Sequence, residues 1–264
     1  MLVDTVPDIL ARIVARKRDE FTQATISRGE LEKQAEGLRA GRRGFRAALD
    51  GKTPAIIAEI KKASPSQGVL REDFEPAAIA REYEENGAAA ISVLTDGPFF
   101  QGSLADLRAA KQAVGLPALR KDFTLNEYHV VEAAANGADA VLLIATILEE
   151  KQIRDLRELA GRWGMAALVE VHNRRELKTA LGAGAEIVGV NNRNLKTFEV
   201  TLETSLRLAE DIPDGVLKIS ESGIHSREDI QRLSRAGFRA FLVGEHLLKS
   251  ASPGAALGAL AGPA

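Results

Sequence analysis

The sequence predicts an α/β protein, a single (β/α)8 barrel preceded by a helical extension of about 50 residues. Two observations predict it: a glycine-marked repeat, and eight short apolar runs that alternate with helical segments. Asn86-Gly87-Ala88, Asn136-Gly137-Ala138, Ala183-Gly184-Ala185 and Ala236-Gly237-Phe238 each precede an apolar run, and their glycines recur about every 50 residues. Gly115, Gly164 and Gly215 form a second series between them, which sets a unit of about 25 residues. Glycine is the usual residue where a helix ends in a left-handed conformation and the chain turns into a strand. The unit is therefore helix, glycine turn, strand.

The extension comes first. Ile9, Leu10, Ile13 and Val14 follow helical spacing, and Phe45, Ala48 and Leu49 form a second small apolar set before Gly51. A pair of helices there would either plug the barrel's N-terminal mouth or cover its catalytic mouth. The strands follow as Ala55–Ile60, Ala89–Leu94, Pro117–Lys121, Asp139–Ile144, Ala166–Val171, Glu186–Asn191, Val216–Glu221 and Ala240–Gly244. They are short and nearly continuous in apolar character, as parallel strands buried on both faces must be. Helices are expected between them over Pro76–Asn86, Leu104–Val114, Asn126–Asn136, Glu149–Trp163, Arg174–Leu181 and Arg227–Ala236. Eight equal units favour closure over an open sheet with a switch point. The expected domain is one unit over residues 1–264, with 1–50 the extension or lid and 51–264 the barrel.

Composition narrows the function classes. With 35 Lys+Arg against 37 Asp+Glu and 45% hydrophobic residues, the chain has the balance of a globular protein and no sequence-wide basic footprint for nucleic acid or an anionic membrane. With no cysteine, disulfides, thiolate nucleophiles and Cys-ligated metals are excluded. The longest apolar stretch, Ala140–Ala145 continuing past Thr146 to Leu148, is far short of the roughly 20 residues that span a bilayer. Basic residues near the N-terminus are interleaved with Asp4, Asp8, Asp19 and Glu20, unlike a transit peptide. A cytoplasmic location is the expectation.

In such barrels the chemistry sits at the carboxyl ends of the strands. Those ends are polar here: Glu59-Ile60-Lys61, Arg120-Lys121-Asp122, Glu170-Val171-His172, Asn191-Asn192-Arg193 and Glu221-Ser222-Gly223. Strand alternation puts Glu59 and Lys61 on one face. One charged strand end is commonly just solvated, but five that converge make a site. A lysine such as Lys121 could form a Schiff base or donate a proton, and neighbours of both signs leave even the direction of its pKa shift open. Ser222-Gly223-Ile224 and Val243-Gly244-Glu245 follow the seventh and eighth strands, where barrels commonly bind phosphate; tight turns needing glycine for geometry alone are the plainer reading. Ser64-Pro65-Ser66-Gln67-Gly68 could close over the same anion. None of His129, His172, His225 and His246 pairs with another at metal-ligand spacing, and no nucleotide-binding glycine motif occurs, so no metal and no cofactor are expected.

Six segments together, Ala58-Glu59-Ile60-Lys61-Lys62-Ala63-Ser64-Pro65-Ser66, Leu94-Thr95-Asp96 with Phe99-Phe100-Gln101-Gly102-Ser103, Arg120-Lys121-Asp122-Phe123, Leu168-Val169-Glu170-Val171-His172, Val190-Asn191-Asn192-Arg193-Asn194-Leu195 and Ser220-Glu221-Ser222-Gly223-Ile224, closely resemble the indole-3-glycerol phosphate synthases of tryptophan biosynthesis. The likeness covers essentially the whole chain, and the motifs stand in the family's order. It implies a carboxy-lyase that closes the ring of 1-(2-carboxyphenylamino)-1-deoxyribulose 5-phosphate and releases carbon dioxide and water, with no cofactor. By that likeness Lys121 is the general acid, Glu170, Glu59 and Lys61 handle the later proton transfers, and Asn191 and Glu221 orient the substrate. Arg193, Ser64 and Lys61 match positions near its anionic ends; Ser222, Gly223 and Gly244, with Glu245 beside them, match the phosphate cradle; Phe99, Phe123 and Leu142 or Leu143 match the wall against the aromatic ring. Gln67 stands where the family often has lysine, and Glu245 and His246 where it often has a serine. The likeness also moves the reading of residues 1–50 toward a lid, with Arg42, Arg43 and Arg46 expected beside the anionic ligand. The expected partner is a small anionic substrate, not nucleic acid or membrane, and the expected state is a monomer or weak homo-oligomer. The competing readings are another phosphate-binding barrel isomerase or aldolase, and a non-catalytic sugar-phosphate-binding barrel.

Overall fold

In the computed structural model, which describes residues 8–262, eight parallel strands close into a barrel in chain order. They are β1 (Ala55–Ile60), β2 (Ala90–Leu94), β3 (Ala118–Lys121), β4 (Ala140–Ile144), β5 (Ala166–Val171), β6 (Ile187–Asn191), β7 (Leu217–Glu221) and β8 (Ala240–Val243). β1 closes the ring by pairing Ile57 with Ala90 of β2 and Ala55 with Ala240 of β8. Residues 1–7 of the expected extension and 263–264 of the expected barrel lie outside the described residues.

The helices are α1 (Asp8–Thr22), α2 (Arg28–Leu38) and α3 (Phe45–Asp50) in the extension, then α4 (Pro76–Glu85), α5 (Gly97–Phe100), α6 (Leu104–Ala113), α7 (Glu127–Ala135), α8 (Glu150–Arg162), α9 (Arg174–Gly182), α10 (Glu203–Ala209), α11 (Arg227–Arg235), α12 (Glu245–Leu248) and α13 (Pro253–Ala261). Several begin where a polar side chain satisfies an orphan amide: Asn126, Asn173 and Ser226 accept from the backbone N–H three residues on, at His129, Glu176 and Asp229. The glycine turns end helices as the repeat implies, with Gly87, Gly137, Gly184 and Gly237 all at positive φ.

Period-two alternation sorts the apolar residues into two cores. Ile57, Leu119, Leu142, Leu168, Ile219 and Leu242 fill the barrel interior, while Ile56, Ile91, Val141, Val169 and Val188 face outward under the helices. Each inward series ends at the carboxyl mouth, and on β1, β3, β5, β6 and β7 its last members are Glu59, Lys121, Glu170, Asn191 and Glu221. That alternation is what brings them together.

Among the described residues the extension holds three α-helices and a single 3-10 turn (Arg39–Gly41), not a pair of helices, and its segments reach opposite ends of the barrel. Ile9, Leu10 and Ile13 of α1 line the carboxyl mouth. Phe45 and Leu49 of α3 are buried in the interior core beside Ala55, Ala89 and Ala240, at the strand starts. Arg42 and Arg43 just before α3 and Arg46 within it lie at the strand-start end with that helix, which corrects their expected place beside an anionic ligand. Arg42 donates to the carbonyls of Ala134 and Trp163, Arg43 to those of Lys111 and Leu116, and Arg46 to those of Glu186 and Gly215. The Lys111, Ala134 and Trp163 carbonyls lie at helix C-termini, which carry the negative end of the helix dipole, and those of Leu116, Glu186 and Gly215 lie just before strands.

Candidate active site

A cavity of about 430 Å³ opens at the carboxyl mouth, within the range of small-molecule sites. Its floor is polar. Lys121 Nζ lies 3.3 Å from Glu170 Oε2 and 3.8 Å from Glu221 Oε2. Lys61, just past the end of β1, pairs with Glu59 two residues before it. Asn191 Nδ2 donates to Glu170 Oε1 at 3.2 Å, and its own Oδ1 accepts from the Arg193 backbone N–H at 3.0 Å. Glycine makes room for two of the carboxylates: a Cβ at Gly244 would stand 2.3 Å from Glu59 Oε1, and one at Gly189 would stand 2.0 Å from Glu221 Oε1.

Charge in this enclosure is set by neighbours more than by side-chain type. Burial opposes the Lys121 ammonium, but the Glu170, Glu221 and Glu59 carboxylates outweigh it and hold the pKa well above the usual lysine range. Burial also opposes ionised Glu170 and Glu59, yet Lys121 and His172 keep the first below its ordinary value, and Lys61 and Lys121 the second. Glu221 goes the other way. Burial and the neighbouring Glu170 push its carboxyl up to about 8, and its Oε1 is buried without a hydrogen-bond partner. With Glu221 protonated, two carboxylates face two ammonium groups.

One wall is apolar, formed by Leu94, Phe100, Phe123, Leu142 and Ile144 under Leu10 and Ile13. The Phe100 and Phe123 rings lie 6.0 Å apart. The opposite end is lined by Ser222, Gly223, Gly244 and Glu245, with His225 and His246 nearby. Ser222 and Gly223 both take positive φ, 68° and 76°, so successive amides can turn toward one anion. Glu245 is tied to Arg193 Nη2 at 3.0 Å and to Lys249 Nζ at 2.7 Å. Ser64 lines the same cavity from the loop after β1, a short hairpin in which Ala63–Ser64 pairs with Gly68–Val69.

All the site residues expected from the sequence line this cavity except Phe99. There the structure makes a correction. The Asp96 carboxylate caps α5 by accepting from the Phe99 N–H, and the turn rotates consecutive side chains apart, so Phe100 takes the cavity side. Of the pair Leu142 and Leu143, the first is in the barrel interior and the second packs under the helices. Sequence reasoning missed three features. Lys17 of α1 reaches Asp122 at 2.8 Å and Asp96 at 3.5 Å, fastening the helix at the mouth. Phe198 and Val200, in the loop after β6, add to the lining. The His225 and His246 rings meet edge to face at 5.7 Å, hidden by their separation in the chain. The one signal for α1 was its helical spacing, which gave the apolar face but not the barrel end it covers.

A closed parallel barrel with a lysine among carboxylates at its carboxyl mouth defines a barrel enzyme built for proton transfer on a small ligand. Residues 10–260 match the family model described as indole-3-glycerol phosphate synthase. The chain is 51% identical over 259 residues to the indole-3-glycerol phosphate synthase of Leptothrix cholodnii, covering 96% of this chain and 98% of that one. It is 51% identical over 265 residues to that of Koribacter versatilis, covering 99% and 97%. The chain belongs to the indole-3-glycerol phosphate synthase family. Among solved structures, the N-acetylmannosamine-6-phosphate 2-epimerase of Clostridium perfringens superposes with a TM-score of 0.60 at 18% identity, covering 75% of this chain and 89% of that one, a likeness of fold alone.

Proposed function

We propose that this chain is an indole-3-glycerol phosphate synthase acting on 1-(2-carboxyphenylamino)-1-deoxyribulose 5-phosphate. Lys121 carries the reading: an ammonium kept charged by the Glu170 and Glu59 carboxylates, with Glu221 beside it, is poised to donate a proton, not to attack a carbonyl as a free amine. The anthranilate ring lies against the Phe100, Phe123 and Leu142 wall, and the phosphate lies toward Ser222, Gly223 and Gly244 at the other end. Lys61, Arg193 and Ser64 stand near the anionic ends of the substrate. As the aromatic carbon attacks the ketone carbon, a carbon–carbon bond forms and Lys121 protonates the carbonyl oxygen. The bond to the carboxylate then breaks, its electron pair returns to the ring system and carbon dioxide leaves. Loss of the new hydroxyl as water, with removal of the neighbouring carbon-bound proton, completes the indole. Glu170, Glu59 and Lys61 serve these later transfers, while Asn191 and Glu221 orient the anilino nitrogen and hydroxyl groups.

Family membership supports the reaction, and the convergence of the five strand-end groups supports the roles. The reading includes a small-molecule substrate without nucleic acid, action as a monomer or weak homo-oligomer, residues 1–50 acting in part as a lid, and a cytoplasmic setting in line with the absence of cysteine. Among the described residues no helix is long and apolar enough to cross a membrane. The test is incubation with the carboxyphenylamino-deoxyribulose phosphate while indole fluorescence is followed. Fluorescence should rise, and borohydride should trap no adduct at Lys121. No turnover would overturn the reading in favour of a binding barrel, and a borohydride adduct would favour an aldolase.

A further inference from the structure

His172 lies two residues beyond Glu170, behind the cavity wall and not among its lining residues. Its surroundings are unusually well defined. Nδ1 is 3.0 Å from Glu176 Oε2 and 3.3 Å from the Thr146 hydroxyl, and the His172 backbone N–H donates to the same Glu176 oxygen at 2.8 Å. Asn173 Nδ2 donates to the other Glu176 oxygen, Oε1, at 2.7 Å, so that carboxylate is held at both ends. On the far side of the ring Nε2 is buried, has no hydrogen bond, and faces Glu170 Oε1 at 3.4 Å. Each ring nitrogen therefore meets a carboxylate.

A neutral imidazole carries one N–H and one lone pair, and an ionised carboxylate only accepts. With Nδ1–H committed to Glu176, a neutral ring would turn its remaining lone pair on Glu170 Oε1. Only the imidazolium offers a donor to both. We propose that His172 is a positioning residue for the reaction: held as an imidazolium between Glu176 and Glu170, it keeps Glu170 ionised and fixes that carboxylate with Oε2 toward Lys121. The groups facing the ring are Glu170 from β5, Glu176 from α9, Thr146 from the loop after β4 and, at longer range, Lys121 from β3. Burial and Lys121 oppose the charge, but the two glutamates outweigh them and raise the histidine above its ordinary value. Asn191 completes the assembly by donating to the Glu170 oxygen that His172 faces.

The inference rests on the reading of the cavity given above, and its test separates the two. In the full-length wild-type enzyme, 15N NMR of the four histidines, with His172→Gln used to assign the resonance, should show His172 doubly protonated at pH 7; Glu176→Gln should lower its midpoint. A neutral His172 in the wild type overturns the inference, whatever the turnover. In the pH profile of kcat, His172→Gln should move the acid limb up by about one pH unit, because Glu170 loses the charge that kept it ionised. KM should stay within about threefold, since the ring lies outside the cavity lining. If His172→Gln does not fold, Glu176→Gln should move the same limb in the same direction. A variant that loses activity with the limb unmoved would show a purely structural role and overturn the inference. A charged ring in a protein that does not turn over the substrate would overturn the proposed function instead.

Discussion

Lys121 keeps its proton because the Glu170 and Glu59 carboxylates face it, and that makes it an acid suited to protonating a substrate oxygen at close range. Lys121→Ala should lower kcat by about 10²–10⁴-fold with KM little changed, since general acids act in the transition state. Lys61→Ala should raise KM as well, because on the proposed reading Lys61 also meets a substrate anion. Equal effects confined to KM in both variants would show the roles to be misassigned. Glu221 makes a separate prediction. Its folded carboxyl titrates at about 8 against an ordinary value near 4.5, so the folded state binds this proton more tightly than the unfolded state does. The stability it contributes is fully present below about pH 4.5 and is lost as pH rises toward 8. Melting temperature of the substrate-free protein should therefore fall across that window, and the fall should be smaller in Glu221→Gln. Parallel curves for the two proteins would refute the assignment.

The extension works as separate elements. α1 covers the carboxyl mouth through Leu10 and Ile13 and is fastened by Lys17 to Asp122 and Asp96, whereas α3 closes the other end with Phe45 and Leu49. Removal of residues 1–22 should leave a folded barrel with raised KM and lowered kcat, because water enters and the substrate is held less well. A truncated protein with normal kinetics would show that α1 is not a lid. Truncation through Asp50 should instead leave the barrel bottom open and the protein unstable. Phe45→Ala alone should cost about 3–5 kcal/mol in a denaturant titration, with KM nearly unchanged, since a buried aromatic is lost far from the ligand.

At the scale of the whole molecule, barrel closure is what converts five separate strand ends into one site. Glu59 and Glu170 are 111 residues apart in the chain, yet both help hold the Lys121 charge from across the same mouth. Among the described residues no group of three or more His, Asp or Glu side chains is arranged to hold a metal ion. Turnover should persist in EDTA; loss of activity on chelation, restored by one added metal, would refute a purely side-chain mechanism.

The strands were legible in the sequence to within a residue at their ends, because the glycine repeat and the apolar runs are local signals. So were the polar strand ends that line the cavity floor; alternation put Glu59 and Lys61 on one face, while the choice of Lys121, Glu170, Asn191 and Glu221 came from the resemblance to the family. Phe99 was misplaced because a one-turn helix, not strand alternation, sets its direction. Arg42, Arg43 and Arg46 were misplaced because a basic cluster suits a ligand anion and a row of helix-end carbonyls equally well. His172 was visible only as one member of a polar strand end, since its partners Glu170, Glu176 and Thr146 acquire meaning only as distances. The sequence by itself thus determined the architecture and the chemical types gathered at the mouth. Only the tertiary structure decided which end of the barrel α1 and α3 meet, which phenylalanine lines the cavity, and which acidic group has its pKa raised. Those depend on burial and on charges a few ångströms apart through space, and local patterning along a chain does not encode either.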